Sequence, residues 1–216
     1  MSLSVLILAA GKGTRMKSHH PKVLQEMGNA PIIYYPLNLA KNIKADNILA
    51  VVGKDSNQIR NKIKTFSNCV QIVEQTEQLG TGHAVLSAKD NLAGLNGNLL
   101  ILYGDCPLIS EDSIKKLLKL RENGVDLAVL GFDSKNPKNY GRLILDSEGK
   151  LTKIVEENDA SPKEKTSTLC NSGVMVANTN LFFSLLENIS NKNAAGEFYL
   201  TDLVNLAKKE NRVVQS

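Results

Sequence analysis

Short apolar runs alternate along the chain with segments whose apolar residues recur every three or four positions. The runs are SVLILA from Ser4, NILAVVG from Asn47, VQIVEQ from Val70, NLLILYGD from Asn98 and DLAVLGF from Asp126. Each is rich in Leu or β-branched residues and closes on a turn former or a charge, as strands buried on both faces do. The intervening segments predict helices over Ile32–Ile43, Gln58–Phe66, His83–Leu92 and Ser110–Glu122. This alternation predicts an α/β fold: a Rossmann-like, mostly parallel sheet covered by helices on both faces.

The rhythm changes after about Phe132. YGRLILDSEGKLTKIVEE (140–157) carries two alternating runs around Ser147-Glu148-Gly149, a β-hairpin with a glycine-containing turn. DASPKEKTST (159–168) reads as an exposed loop, LCNSGVMVAN (169–178) as a strand, and Leu181–Asn188 as a helix. EFYLTDLVNLAKKEN (197–211) predicts an amphipathic helix whose lysines suit its C-terminus. The expectation is one domain, 1–216, in two halves. Residues 1–132 form the first, and 133–216 form a hairpin-containing insertion lying over the sheet. Arg212–Ser216 reads as the start of a further strand, so the chain is expected to be cut from a longer protein.

Composition narrows the class. The chain has 216 residues, 42% of them hydrophobic and 22% charged, ordinary for a soluble globular protein. Its net charge of +4 is spread out, and no basic block or aromatic stripe argues for nucleic acid. No apolar run approaches a bilayer span. Cys69, Cys106 and Cys170 have neither disulfide nor zinc spacing and read as reduced thiols in a cytoplasmic protein.

Candidate chemistry sits where strands end. VLILAAGKGTRMKSHHPKVL (5–24) runs from a buried strand into a basic, glycine-punctuated loop. It matches neither dinucleotide G-x-G-x-x-G, having Met16 at the third glycine, nor the P-loop spacing. Backbone amides from Gly11 to Thr14 can still curl round an anion, with Arg15 and Lys22 adding charge; the alternative is a solvated basic loop. Asp105 ends a buried strand, where a carboxylate serves either as a Mg²⁺ ligand or as a helix N-cap. Gly80-Thr81-Gly82 opens a helix and offers amides and a hydroxyl. Asn171-Ser172-Gly173 interrupts a strand, for close ligand approach or as a bulge. His19 and His20 read as solvated, His83 as structural and Cys106 as a small filler.

Taken in order, LAAGKGTRM with PK, EQLGTGHA, YGDCPL, YGR, IVEE, NSG and GEFYLTDL resemble the sugar-1-phosphate nucleotidyltransferases. The resemblance is closest to bacterial N-acetylglucosamine-1-phosphate uridylyltransferases, which form the N-terminal half of a bifunctional protein. It implies attack by the sugar phosphate on the α-phosphorus of UTP, giving UDP-N-acetylglucosamine and pyrophosphate for cell-wall precursor synthesis. Leu8, Ala9, Ala10, Gly11 and Gly13 would wrap the nucleotide, Arg15 and Lys22 would meet the triphosphate, and Gln75, Gly80 and Thr81 would hold the nucleoside. Asp105 would hold Mg²⁺. Tyr103, Gly104, Gly141, Glu156, Asn171, Tyr199 and Thr201 would contact N-acetylglucosamine 1-phosphate. The family's second metal ligand, an Asn beyond the last helix, does not appear, nor do the hexapeptide repeats of its trimerising β-helix domain. The short chain is therefore expected to be a monomer without acetyltransfer and with weak turnover, and the protein with its β-helix domain a trimer.

Overall fold

The structure is a computed structural model that describes residues 2–11, 13 and 20–216. Strand β1 spans Leu3–Leu8, every residue of it buried. A short ribbon follows, β2 (Glu26–Met27) and β3 (Ala30–Pro31), and then helix α1 (Tyr34–Asn42). Next come β4 (Asn47–Gly53), α2 (Asn57–Phe66), β5 (Gln71–Gln75), α3 (Thr81–Leu86), α4 (Lys89–Leu92) and β6 (Asn98–Tyr103). The chain continues through α5 (Glu111–Glu122), β7 (Leu127–Asp133) and the hairpin β8 (Arg142–Leu145) and β9 (Leu151–Val155). It ends with β10 (Leu169–Asn178), α6 (Thr179–Leu186), α7 (Asp202–Lys209) and β11 (Val214–Gln215).

The main sheet has the order β11-β7-β10-β6-β1-β4-β5, with the hairpin attached beside β10. β1 pairs in parallel with β4 and β6, β4 with β5, and β11 with β7. β10 runs antiparallel to both of its neighbours, β6 and β7. The alternation of side chains along β1 splits the core. Leu6 and Leu8 face one cluster with Ala84, Val85, Phe182 and Leu203; Val5 and Ile7 face the other with Leu37, Ile63 and Ile114. Both faces are thus closed by helices, which explains why these strands read as continuous apolar runs.

The helix ends follow local chemistry. Ser110 caps α5, its hydroxyl accepting from Ser113 N–H at 3.1 Å, and Glu111 and Asp112 stand in the first turn. The Asn178 side chain caps α6 through Asn180 N–H and Leu181 N–H. In the hairpin turn the Asp146 carboxylate accepts from the amides of Glu148 and Lys150, and Gly149 takes φ +77°.

Three expectations need correction. The second half does not simply lie over the sheet: β10 is a central strand, inserted between β6 and β7. The helix expected over 83–92 begins at Thr81 and breaks into α3 and α4. The helix expected from Glu197 begins only at Asp202. Ahead of it, Phe198 spends its backbone groups across the fold, donating to Leu79 O and accepting from Gly82 N–H, both at 2.8 Å. Those bonds replace the ones a helical turn would need.

Candidate active site

Parallel strands deliver their carboxyl ends to one edge of a sheet, and a cleft of about 410 Å³ opens there. Its lining includes Leu8, Ala9, Ala10, Gly11 and Gly13 after β1, Gln75 at the end of β5, Gly80 and Thr81 at the start of α3, and Tyr103 and Asp105 after β6. Lys22 enters from the short helical turn Lys22–Leu24. The structure thus brings together around one cavity every sequence-predicted nucleotide residue that it describes. Arg15 and His19 lie outside the described residues.

The end of β1 is tied to both of its neighbours, β4 and β6, beside the cleft. Ala9 N–H donates to Val51 O at 2.8 Å and Gly104 N–H to Leu8 O at 2.9 Å. Gly104 is packed beneath the cleft: a Cβ there would meet Leu8 O at 3.1 Å and the Val23 side chain at 3.2 Å. On one wall, Lys22 Nζ donates to Asp105 Oδ2 at 2.6 Å, across eighty-three positions of sequence. Because Ser110 caps α5, Asp105 is left to the cleft. Beside it the Cys106 thiol is pushed up to about 12, by burial and then by the Asp105 charge, and is a poor nucleophile.

The opposite wall is built by Gln75 and the 80–82 turn. Gln75 is 3% exposed; its amide nitrogen donates to Gly80 O at 3.2 Å and lies 3.0 Å from His83 Nδ1. His83 therefore fixes the orientation of Gln75. Gly80 has φ +112°, and a Cβ would lie 2.7 Å from Phe198 O. That closeness comes from the strap 197–201, which the Thr81 hydroxyl also holds by accepting Leu200 N–H at 3.0 Å. Gln78 and Glu197 line the cleft too and were not anticipated. Gln78 Nε2 donates to Ala10 O, closing the loop after β1 against the β5 end. The only sequence signal for them was their position inside EQLGTGHA and GEFYLTDL.

A second group stands beyond Tyr103. Burial raises the Tyr103 phenol, and its hydrogen bond to Thr81 opposes the rise. Its ring packs on Gly173, where φ is +86° and a Cβ would meet Tyr103 Cε2 at 2.5 Å. The interrupted strand is therefore a bulge, with a register shift between Asn171 and Met175, and the bulge makes room for the tyrosine. Asn171 N–H donates to Gly141 O at 2.8 Å, and Asn171 Oδ1 accepts from Gly173 N–H at 3.0 Å. Glu156 Oε1 accepts from the Thr201 hydroxyl at 3.0 Å. Burial raises Glu156 above the usual carboxylate range, the Thr201 bond opposing, with Asp159, Asp202 and Glu197 adding to the rise. Tyr199 is pushed up to about 12 by burial and by Asp159, Glu156 and Glu197. Gly141, Glu156, Asn171, Tyr199 and Thr201 are not lining residues of the cleft itself. The site has two characters: a paired ammonium and carboxylate in the cleft, and an acidic group beyond it suited to hydroxyl donors.

A profile of the MobA-like NTP transferase domain matches residues 5–189. The chain belongs to this family. It is a nucleotidyltransferase domain, and curated relatives named bifunctional protein GlmU match nearly all of it. The protein of Ruegeria sp. strain TM1040 is 43% identical over 210 residues, 97% of this chain and 46% of that one. That of Geobacter sulfurreducens is 42% identical over 209 residues, 95% of this chain and 43% of that one. The transferase chain thus spans a little under half the length of these relatives. A solved UDP-glucose pyrophosphorylase complexed with UDP-glucose superposes with a TM-score of 0.83 at 20% identity, over 100% of this chain and 90% of that one. A glucose-1-phosphate thymidylyltransferase structure from Bacillus anthracis gives 0.81 at 22% identity, over 99% and 85%. At those identities the two structures support the nucleotidyltransferase fold alone. Among the described residues of this transferase, no helix is long and apolar enough to cross a membrane, and no cluster of three or more His, Cys, Asp or Glu is placed to hold a metal ion.

Proposed function

We propose that this domain transfers the uridylyl group of UTP to N-acetylglucosamine 1-phosphate, giving UDP-N-acetylglucosamine and pyrophosphate. The observation that carries the reading is the pairing of Lys22 with Asp105 in the cleft, with a second polar group, Glu156, Thr201 and the 141–171 contact, standing outside its lining beyond Tyr103. The GlmU relatives support the choice of substrates. The nucleophile is a phosphate oxygen, already anionic near neutral pH, so the site needs no general base. Its task is to hold two anions in line and offset the charge that builds on the leaving pyrophosphate.

Each group has a part in that task. Amides after β1 and the Lys22 ammonium face the triphosphate. Gln75, fixed by His83 and Gly80, holds the base edge. Glu156 accepts hydrogen bonds from sugar hydroxyls, and the Gly141–Asn171 corner takes the N-acetyl group. Asp105 fits Mg²⁺: its carboxylate already attracts an ammonium at 2.6 Å, and a hard cation needs few protein oxygens when phosphates and water supply the rest. Bound there, the ion would supply further charge neutralisation at the phosphates. The test is pyrophosphate release with Mg²⁺ across UTP, dTTP, GTP and CTP, and across the 1-phosphates of N-acetylglucosamine, glucose and glucosamine. The expected result is a preference of at least tenfold for UTP with N-acetylglucosamine 1-phosphate. Equal or better use of another pair would overturn the substrate assignment.

A further inference from the structure

Arg142 is among the most deeply buried side chains of the protein, with 2% of its surface exposed. Its backbone is the last paired position where three strands meet: Arg142 stands opposite Val155 of β9 and opposite Cys170 of β10. Antiparallel register fixes what comes next. One step outward, Gly141 must stand beside Glu156 on one side and Asn171 on the other. Both contacts are present. Asn171 N–H donates to Gly141 O at 2.8 Å, and a Cβ on Gly141 would lie 3.3 Å from Glu156 Oε2. These three residues are the corner that the proposed function assigns to the sugar phosphate.

The Arg142 guanidinium reaches over that corner. One terminal nitrogen donates to Tyr140 O, and the other to Glu157 Oε2 at 2.7 Å. The same Glu157 oxygen accepts Asn139 N–H at 3.2 Å. The fork therefore fastens the residues on the far side of the corner, 139–140 and 157, back onto the residue on its near side. Tyr140 is also packed edge-on against Phe132, with ring centroids 5.0 Å apart. The arrangement carries a cost. Arg142 Nε is buried without a hydrogen-bond partner, and the desolvated guanidinium is matched by one carboxylate that is itself a quarter exposed. A side chain kept for stability alone has no reason to take this form.

We infer that Arg142 and Glu157 are positioning residues for the acceptor sugar: their ion pair holds Gly141, Glu156 and Asn171 at the spacing that sugar binding requires. The inference rests on the acceptor site proposed above. Neither residue touches the nucleotide end, so the effect belongs to the sugar alone. Arginine is required because its planar fork bonds two acceptors at once, which a lysine ammonium does not reproduce geometrically.

The test compares Glu157→Gln, Arg142→Lys and, as a reference, Glu156→Ala. Titration calorimetry reads binding of UTP and of UDP-N-acetylglucosamine to each folded variant, and thermal melting reads the fold. Glu157 is a quarter exposed, so Glu157→Gln tests the clamp even if Arg142→Lys does not fold. The expected result for Glu157→Gln is at least tenfold weaker UDP-N-acetylglucosamine binding, with UTP affinity within twofold of the parent. Equal losses for both ligands would make the pair merely structural and overturn the inference. An unchanged Glu157→Gln beside a sugar-selective loss in Glu156→Ala would overturn the clamp and leave the acceptor site standing. No selective loss in any variant would overturn both.

Discussion

Replacing Lys22 by alanine separates a fold contact from a catalytic one, because the two are worth different amounts. As a fold contact, the Lys22–Asp105 pair keeps 41% and 27% of its side-chain exposure, so water screens it despite the 2.6 Å distance. Such pairs contribute about 0–1 kcal/mol. For a chain of this length that shifts Tm by about 2–4 °C at most. As a triphosphate contact, the ammonium acts where charge develops on the leaving group, and losing one such contact costs about 3 kcal/mol, roughly a hundredfold in turnover. Lys22→Ala is therefore expected to lower kcat about a hundredfold with Tm nearly unchanged. The assay is pyrophosphate release at saturating Mg²⁺, UTP and N-acetylglucosamine 1-phosphate, with melting curves on the same samples. A rate within threefold of the parent would refute the triphosphate role. A Tm loss more than twice the range above would show that the lysine supports the fold instead.

Three other perturbations probe separate parts of the site. Gly80→Ala forces φ +112° on a residue with a Cβ and sets that Cβ 2.7 Å from Phe198 O; urea unfolding should show a loss of about 2–3 kcal/mol, and a loss under about 1 kcal/mol would mean the 197–201 strap is not seated against this turn. Glu156→Gln tests desolvation: burial raises this carboxyl above 4.5, so its contribution to stability is full below the unfolded value and is lost as pH rises through the folded one. A glutamine has no such loss, so the variant's Tm relative to the parent should rise as pH is raised above 4.5, and a constant difference would place Glu156 in water. Ser110→Ala removes the α5 cap at 3.1 Å and should cost about 1 kcal/mol with UTP affinity unchanged; weaker UTP binding would tie that cap to the cleft after all.

That the strand-end residues gather at one cleft was legible in the chain because a parallel sheet turns sequence position into spatial position. Gly11 and Gly13, Gln75, and Tyr103 with Asp105 each follow a run that reads as a buried strand, and parallel strands put all such ends on one edge. Runs and their stops pointed to the edge of the sheet; the roles of Gln75 and Tyr103 came from the resemblance to sugar nucleotidyltransferases. The helix cap was harder: Asp105 and Ser110 both suit an N-cap, and only the structure shows that Ser110 takes it. The main sheet also holds an antiparallel strand, β10, that the pattern of the second half gave no means to place. An apolar run announces a buried strand, but not which neighbours it separates.

The acceptor end obeys different physics. Gly141, Glu156 and Asn171 come from three strands whose meeting depends on antiparallel register, and register is a property of pairing rather than of any one segment. The resemblance to sugar nucleotidyltransferases named these residues without explaining their convergence. Arg142 belongs to the YGR motif but was given no role from the sequence, yet it is buried and stands opposite Cys170 and Val155 beside the corner. The strap shows the same limit. Thr81 was assigned to the nucleotide, but its hydroxyl accepts Leu200 N–H from 119 positions away. Through that bond the turn that lines the cleft also seats Thr201 against Glu156. The cleft and the proposed acceptor group beyond it therefore share the 197–201 strap, and a substitution at the 80–82 turn is expected to act on that group through the strap even though no residue of the turn is assigned to the sugar.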